Sequence, residues 1–423
     1  MTEDRRTIAF VSSNATWGGS EDLWSAAAAV LAAGGHRVDA YKNHLDHDEP
    51  SVRRLIDLGC RPTNLARLPF LPGRIYWWIA ALTYPLTFGY QAVLFYLTVK
   101  MRRRPDLLVV SQGGNHDGWL YARAAMRLGL PYVLISQKAT DLYWPLDTRR
   151  EAIKACYAAA RWCYFVSEHN LRLTEEQLGM RLPHASIVRN PFKVSWEPRG
   201  EWPGTDLGFR FACVGRLYPK EKGQDLLLRV LARDKWRSRP VSLTFYGSGE
   251  QAQGLKEMAG LLGLDNVQFG GFAGDVDAIW DRHHALLLAT RAEGLPLVLV
   301  EAMLAGRVAI VTDVAGNREM LDDGETGFIA AAPTEDAMDE AMERAWQRRT
   351  DWPAIGREAA RRVRERVPAD PAAELAAQLI RLGQGRSTVA ALAGDSAFGK
   401  GDAAAPAEEG RRHAGTFSGA GQP

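Results

Sequence analysis

Residues 286–302 read Leu286-Leu287-Leu288-Ala289-Thr290-Arg291-Ala292-Glu293-Gly294-Leu295-Pro296-Leu297-Val298-Leu299-Val300-Glu301-Ala302. A short apolar run ends at a polar turn, and Gly294 and Pro296 then signal the start of a helix. The stretch therefore predicts a buried strand, a loop carrying Glu293, and a helix near Pro296 with Glu301 in its second turn. The same unit recurs along the chain. Further apolar runs fall at Ile8 to Ser12, Leu107 to Ser111, Tyr132 to Ser136 and Tyr164 to Ser167, then at Phe211 to Val214, Ser242 to Tyr246 and Val308 to Thr312. Buried strands alternating with helices predict parallel sheets covered on both faces, an α/β class.

The 423 residues exceed what one hydrophobic core organises, so two domains are expected. Between Asn190 and Gly208, Pro191, Pro198, Gly200, Pro203 and Gly204 interrupt any helical periodicity. The reading is a first doubly wound, Rossmann-like domain over 1–195 and a second over 196–383, facing across a cleft. The segment Pro371 to Leu382 is the last helical pattern, and it either closes the second domain or crosses back to the first. Residues 384–423 are rich in Gly, Ala, Ser and Pro and are expected to form a disordered tail.

A net charge of +2 gives no polyelectrolyte argument for nucleic acid. Residues 1–195 carry about +7 and the remainder about −5, which suits a basic surface on the first half. Cys60, Cys156, Cys163 and Cys213 have neither metal-ligand spacing nor the density of a disulfide framework, and the charged start lacks a signal-peptide pattern. A cytoplasmic location is expected. Ile75 to Val99 contains no charged residue and is bounded by Arg74 and by Lys100, Arg102, Arg103 and Arg104. A membrane span, an interfacial hairpin or long helix, and a buried core helix are all open for it; the second reading gives a peripheral membrane contact through residues 74–104.

Several loops follow strands and carry chemistry. Glu293 and Glu301 flank a helix start whose amides suit an anion, so hydroxyl recognition is the sensible work for the two carboxylates. Val214-Gly215-Arg216-Leu217-Tyr218-Pro219-Lys220-Glu221-Lys222-Gly223-Gln224-Asp225 places Arg216 and Lys222 on the carboxyl edge of the second sheet, where fixed cations suit a diphosphate. Gly247-Ser248-Gly249 repeats the strand-to-glycine pattern. In the first half, Trp17-Gly18-Gly19-Ser20-Glu21 allows close backbone approach to a ligand, with Ser20 as a candidate helix cap. It lacks the spaced glycines of a nicotinamide-binding loop. The Asp46-His47-Asp48 and Asp275-Val276-Asp277 triplets follow no recognisable nucleotide site, and Asp275 reads as a helix cap, so neither calls for a metal.

Taken in order, the two glutamates, the Gly215 to Gly223 element, the Gly247-Ser248-Gly249 loop, Val311-Thr312-Asp313-Val314-Ala315-Gly316-Asn317-Arg318-Glu319-Met320 and Gly324-Glu325-Thr326-Gly327-Phe328 resemble the donor domain of retaining glycosyltransferases of family 4. The likeness spans residues 209–330 well and the first half loosely. It implies the GT-B fold and transfer of a sugar from a nucleotide-diphosphate donor to a glycan or lipid-linked acceptor, as in cell-surface polysaccharide or lipopolysaccharide synthesis. No cofactor beyond the nucleotide sugar and no metal are implied. Carried over by position, Arg216 and Lys222 would hold the diphosphate, Glu293 the transferred sugar and Glu301 the ribose. Gly294, Leu295, Pro296, Leu297 and Gly247 would line the donor, and Gly18 and Gly19 would approach it from the first domain. Many relatives carry a His-Asp pair where this chain reads Gln137-Lys138-Ala139-Thr140-Asp141, and Gln137 can orient a sugar but cannot act as a base. His116, in Asn115-His116-Asp117, is a second candidate for substrate contact. Competing readings are a sugar-nucleotide epimerase of the same architecture and an inactive binding protein.

Overall fold

The computed structural model describes residues 5–14, 17–66, 90–197 and 201–384. Its first sheet contains β1 (Thr7–Ser12), β2 (Arg37–Lys42), β3 (Arg61–Asn64), β4 (Leu107–Gln112), β5 (Tyr132–Ser136), β6 (Trp162–Phe165) and β7 (Ala185–Ile187). The strands lie in the order β3-β2-β1-β4-β5-β6-β7 and every pairing is parallel. The second sheet contains β8 (Phe209–Val214), β9 (Val241–Tyr246), β10 (Val267–Gly271), β11 (Ala285–Leu288), β12 (Val308–Thr312) and β13 (Phe328–Ala330). It has the order β10-β9-β8-β11-β12-β13, again wholly parallel.

The central strands β1, β4, β5, β11 and β12 are buried along their whole length. Parallel sheets with both faces covered demand this, and it explains why these strands read as unbroken apolar runs. Each sheet is sandwiched between two apolar clusters. In the first domain Ile8, Leu107 and Ile135 face one cluster and Ala9, Leu108 and Leu134 the other; in the second, Phe211 and Leu287 oppose Ala212 and Leu288.

Helix Pro371–Gly383 packs on the first domain although it follows the second in sequence. Its Leu375, Ala376, Leu379 and Leu382 join the cluster built on Trp24 and Ala28 of helix Gly19–Ala33, and Arg161 donates to the Leu382 carbonyl at 2.6 Å. Asp370 starts the helix by accepting from the Ala373 amide, leaving Pro371 at a position that needs no donor.

Residues 75–89 of the uncharged stretch and 385–423 of the tail lie outside the described residues. The part that is described, helix Tyr90–Met101, buries Leu94 and Phe95 and exposes Val93, Leu97 and Met101. Among the described residues no helix is long and apolar enough to cross a membrane. Ser20 is not a helix cap: Gly18 occupies the cap position, and Ser20 Oγ accepts from Asn14 Nδ2 at 2.8 Å.

Candidate active site

Both sheets reverse direction of strand order at one place, between β1 and β4 and between β8 and β11. Loops leaving the carboxyl ends of such a pair splay apart and open a crevice. Gly18 and Gly19 follow β1 and His116 follows β4, while Arg216 follows β8 and Glu293 follows β11. The two crevices face each other. A β-carbon at Gly294 would stand 1.9 Å from the Gln137 carbonyl oxygen, one at Gly316 2.9 Å from the Ser167 β-carbon, and one at Gly19 3.1 Å from Leu297. Glycine at 294 thus permits the second-domain loop to touch the tip of β5.

The element that follows β8 is held tightly. After β8 the chain passes Gly215, Arg216 and Leu217, then makes the one-turn helix Pro219–Lys222, stopped by Gly223 at φ +65°. A side chain at Gly223 would drive a β-carbon to 1.8 Å from the Ala289 carbonyl oxygen, so the position accepts no other residue. The Glu221 carbonyl accepts from the Arg291 and Ala292 amides at 2.7 and 3.2 Å, clamping this turn to the loop that carries Glu293. Gly247, at φ +131°, lies against the Gly215 carbonyl and seats the following loop beneath Arg216.

Within that frame the charged side chains pair. Lys222 Nζ donates to Oε1 of the buried Glu293. Arg216 Nη2 donates to Glu221 Oε2 at 3.2 Å, its guanidinium lies over the Tyr218 ring, and 59% of its side chain stays exposed. Gln224 Nε2 holds the Arg216 carbonyl at 2.8 Å. Arg216, Lys222 and Glu293 are therefore collected on one rim, together with Gly294.

Glu301 sits apart from that trio. Helix Leu297–Leu304 buries it, and its Oε1 accepts the Lys193 amide at 3.0 Å, where the chain crosses between domains. Burial pushes its carboxyl up to about 6, with the Lys193 contacts pulling the other way and Asp22 and Asp277 adding to the rise. Leu295 and Pro296 are buried beside Gly294, and Leu297 is half-buried at the first helical position, where amides have no intrahelical acceptor.

On the opposite rim Gly18 faces open space. Gln137 is buried; its Oε1 accepts Asn190 Nδ2 at 2.7 Å and its carbonyl accepts Asn170 Nδ2 at 3.4 Å. Gln137 Nε2 and Asn170 Oδ1 are buried without a hydrogen-bond partner among the described residues. Buried polar groups seldom stay unpaired, and these two lie where Gly294 meets the first domain. His116 is half-buried and is not brought against any of the other candidates, whereas its neighbour Asp117 is held by Ser13 Oγ at 2.6 Å and the Gly114 amide at 2.7 Å.

The DxD triplets serve the backbone. Asp46 Oδ1 accepts the Asp48 amide, Asp275 Oδ1 accepts the Ala278 amide, and Asp277 binds the amide and hydroxyl of Ser195. Among the described residues no group of three His, Cys, Asp or Glu side chains is placed to share a metal ion.

Contacts that bridge the two domains escaped the sequence reading. Lys138 Nζ lies 2.8 Å from Glu221 Oε1 and the His169 amide donates to Glu319 at 2.9 Å; within the first domain, Lys193 Nζ lies 3.0 Å from Asp22. The one available signal was a charge directly after a buried strand, as Lys138 is after β5.

The chain is similar to known proteins in sequence and in fold. The family model described as glycosyl transferases group 1 matches residues 208–348. A GDP-mannose-dependent alpha-(1-6)-phosphatidylinositol monomannoside mannosyltransferase of Mycolicibacterium smegmatis is 32% identical over 294 residues, 60% of this chain and 74% of that protein. An exopolysaccharide phosphotransferase of Streptomyces coelicolor is 28% identical over 203 residues; the match takes in 47% of this chain but only 20% of the relative's length. Among solved structures, Anabaena HepE in complex with UDP and glucose superposes with a TM-score of 0.71 at 17% identity, covering 89% of this chain and 99% of HepE. The fold is GT-B: two Rossmann-like domains that face each other across a cleft.

Proposed function

The chain belongs to the group 1 glycosyl transferases, and from that premise we propose that it is a retaining, metal-independent hexosyltransferase of the family 4 branch, taking a sugar from a nucleotide-diphosphate donor. The observation that carries this reading is the rim where Arg216, Lys222 and Glu293 converge opposite the tip of β5. Arg216 and Lys222 neutralise the departing diphosphate, with the helix start at Leu297 adding amide donors. Glu293 accepts from hydroxyls of the transferred sugar, and Glu301 from those of the ribose. The bond from the anomeric carbon to the phosphate oxygen breaks as an acceptor hydroxyl adds to the same face, and the leaving phosphate takes the hydroxyl proton. No protein base is required, which suits a Gln at position 137. The chain's work is then positioning and charge stabilisation.

The acceptor is a glycan or a lipid-linked saccharide of cell-surface polysaccharide or glycolipid synthesis, the chemistry named in the mycobacterial and Streptomyces relatives. Helix Tyr90–Met101 favours peripheral contact with the inner face of the cytoplasmic membrane: Val93, Leu97 and Met101 recur at four-residue spacing on its exposed side, followed by Arg102, Arg103 and Arg104. The test supplies a panel of sugar nucleotides with acceptor extracts in chelator. Release of nucleoside diphosphate and a product whose anomeric configuration matches the donor support the reading; loss of activity in chelator or an inverted product refutes the metal-independent or retaining part respectively.

A further inference from the structure

Glu221 is the best-buried charged side chain of the phosphate-facing turn, and its carboxylate is shared by two cations from different domains. Oε2 accepts Arg216 of its own domain at 3.2 Å, and Oε1 accepts Lys138 of the first domain at 2.8 Å. The side chain of Glu221 is 7% exposed, Lys138 25% and Arg216 59%, so Arg216 is the partner free to swing away. The backbone cannot relieve the carboxylate by moving, because the Glu221 carbonyl is tied to the Arg291 and Ala292 amides.

If Arg216 turns to a diphosphate, Glu221 is left as a buried anion beside an incoming polyanion. A buried charge stripped of its partner is strongly unfavourable, and here it would also repel the ligand. One cation on the carboxylate removes both penalties. We propose that Lys138 is a donor-positioning residue: held on Glu221 from across the cleft, it releases Arg216 to the diphosphate and ties domain closure to donor binding. Lys138 follows Gln137, whose carbonyl packs on Gly294, so the same strand tip that touches the sugar loop also supplies the counter-charge. This rests on the reading of Arg216 as a diphosphate ligand.

The test is calorimetric titration of the full chain with UDP and, separately, GDP, in wild type, Arg216→Met, Lys138→Met, Glu221→Gln and the Lys138→Met/Glu221→Gln double variant, each checked for an unchanged thermal unfolding profile. Lys138→Met is expected to weaken the nucleotide that binds by on the order of tenfold or more. Glu221→Gln, which removes the charge to be neutralised, is expected to restore the double variant to within about threefold of wild type. Lys138→Arg, which keeps the charge, is expected to bind as wild type and covers the case in which Lys138→Met does not fold. Wild-type affinity in Lys138→Met, or a loss that Glu221→Gln leaves unrepaired, overturns the role of Lys138 alone. Absence of binding to either nucleotide, or indifference to Arg216→Met, overturns the diphosphate reading itself and this inference with it.

Discussion

Lys222 and Glu293, 71 residues apart in sequence, share a hydrogen-bonded ion pair at the carboxyl edge of the second sheet. The cation read as a diphosphate ligand and the carboxylate read as a sugar ligand thus begin in each other's company, and a bound donor must part them or bridge them. Lys222→Met should lower turnover by about 100-fold or more, since it removes charge stabilisation of the leaving group. It should also destabilise the fold by about 1–3 kcal/mol by leaving Glu293 buried and unpaired, less than a fully buried pair costs because Lys222 is partly exposed. Denaturant titration checks the second effect, and Lys222→Met/Glu293→Gln should recover most of it.

Glu301 makes pH a probe of the proposed ribose contact. Its carboxyl is raised to about 6, chiefly by burial, so the native state holds a proton that the unfolded chain has lost between about 4.3 and 6. The stability from this group is complete below about 4.3 and is lost as pH rises through 6. Ligand binding runs the other way, because the ionised carboxylate offers more acceptor sites to ribose hydroxyls. UDP or GDP affinity should therefore fall as pH drops from 7 to 5, more steeply in wild type than in Glu301→Gln. The ligand-free Glu301→Gln protein should be about 1–2 kcal/mol more stable than wild type at pH 8. A variant with the wild-type pH profile in both measurements would remove Glu301 from the site.

Gly294→Ala tests whether domain contact is needed for chemistry. The added methyl would fall 1.9 Å from the Gln137 carbonyl and 2.9 Å from Val166, both of the first domain. The second domain should fold normally, but the cleft should stand wider. The expected result is a fall in turnover of at least tenfold with nucleotide affinity changed less than threefold, because a misplaced reacting centre costs rate more than binding. Small-angle scattering should report a larger radius of gyration.

The returning helix should govern the stability of the domain it visits. Leu379 is fully buried among Trp24, Ala28 and Leu375. Leu379→Ala should cost about 2–5 kcal/mol, and hydrogen exchange should quicken in helix Gly19–Ala33 while β8 and β11 keep their protection.

The strands most legible in the sequence are those buried on both faces, such as Leu107–Gln112 and Val308–Thr312, whose apolar runs are broken only at their carboxyl ends; Val241–Tyr246, buried on alternate residues, was legible from its Leu243 and Phe245. Strand β2 was not legible because Asp39 and Lys42 are buried within it, Lys42 as the partner of Glu21 at 3.2 Å, and charges in a short run read as surface. Strand β3 contains Pro62 at a sheet edge, and β7 and β13 are three residues each, too short to show a period. The loops bearing Arg216, Glu293 and Gly294 were legible because glycine at a strand end marks a turn that must leave room. Ser20 failed as a cap because the cap falls two residues earlier, at Gly18, and Asn14 claims the hydroxyl. The Lys138–Glu221 and Lys193–Asp22 pairs could not be read at all, since nothing local links residues 83 positions apart across a domain boundary or residues near opposite ends of the first domain.

The position of the diphosphate tests the account most directly. A crystal structure with the nucleoside diphosphate that binds, UDP or GDP, should place its β-phosphate within about 3 Å of Arg216 and of Lys222 Nζ, with the ribose hydroxyls on Glu301. A diphosphate seated elsewhere in the molecule, or the ribose turned away from Glu301 with Lys222 still bound to Glu293 alone, would contradict it.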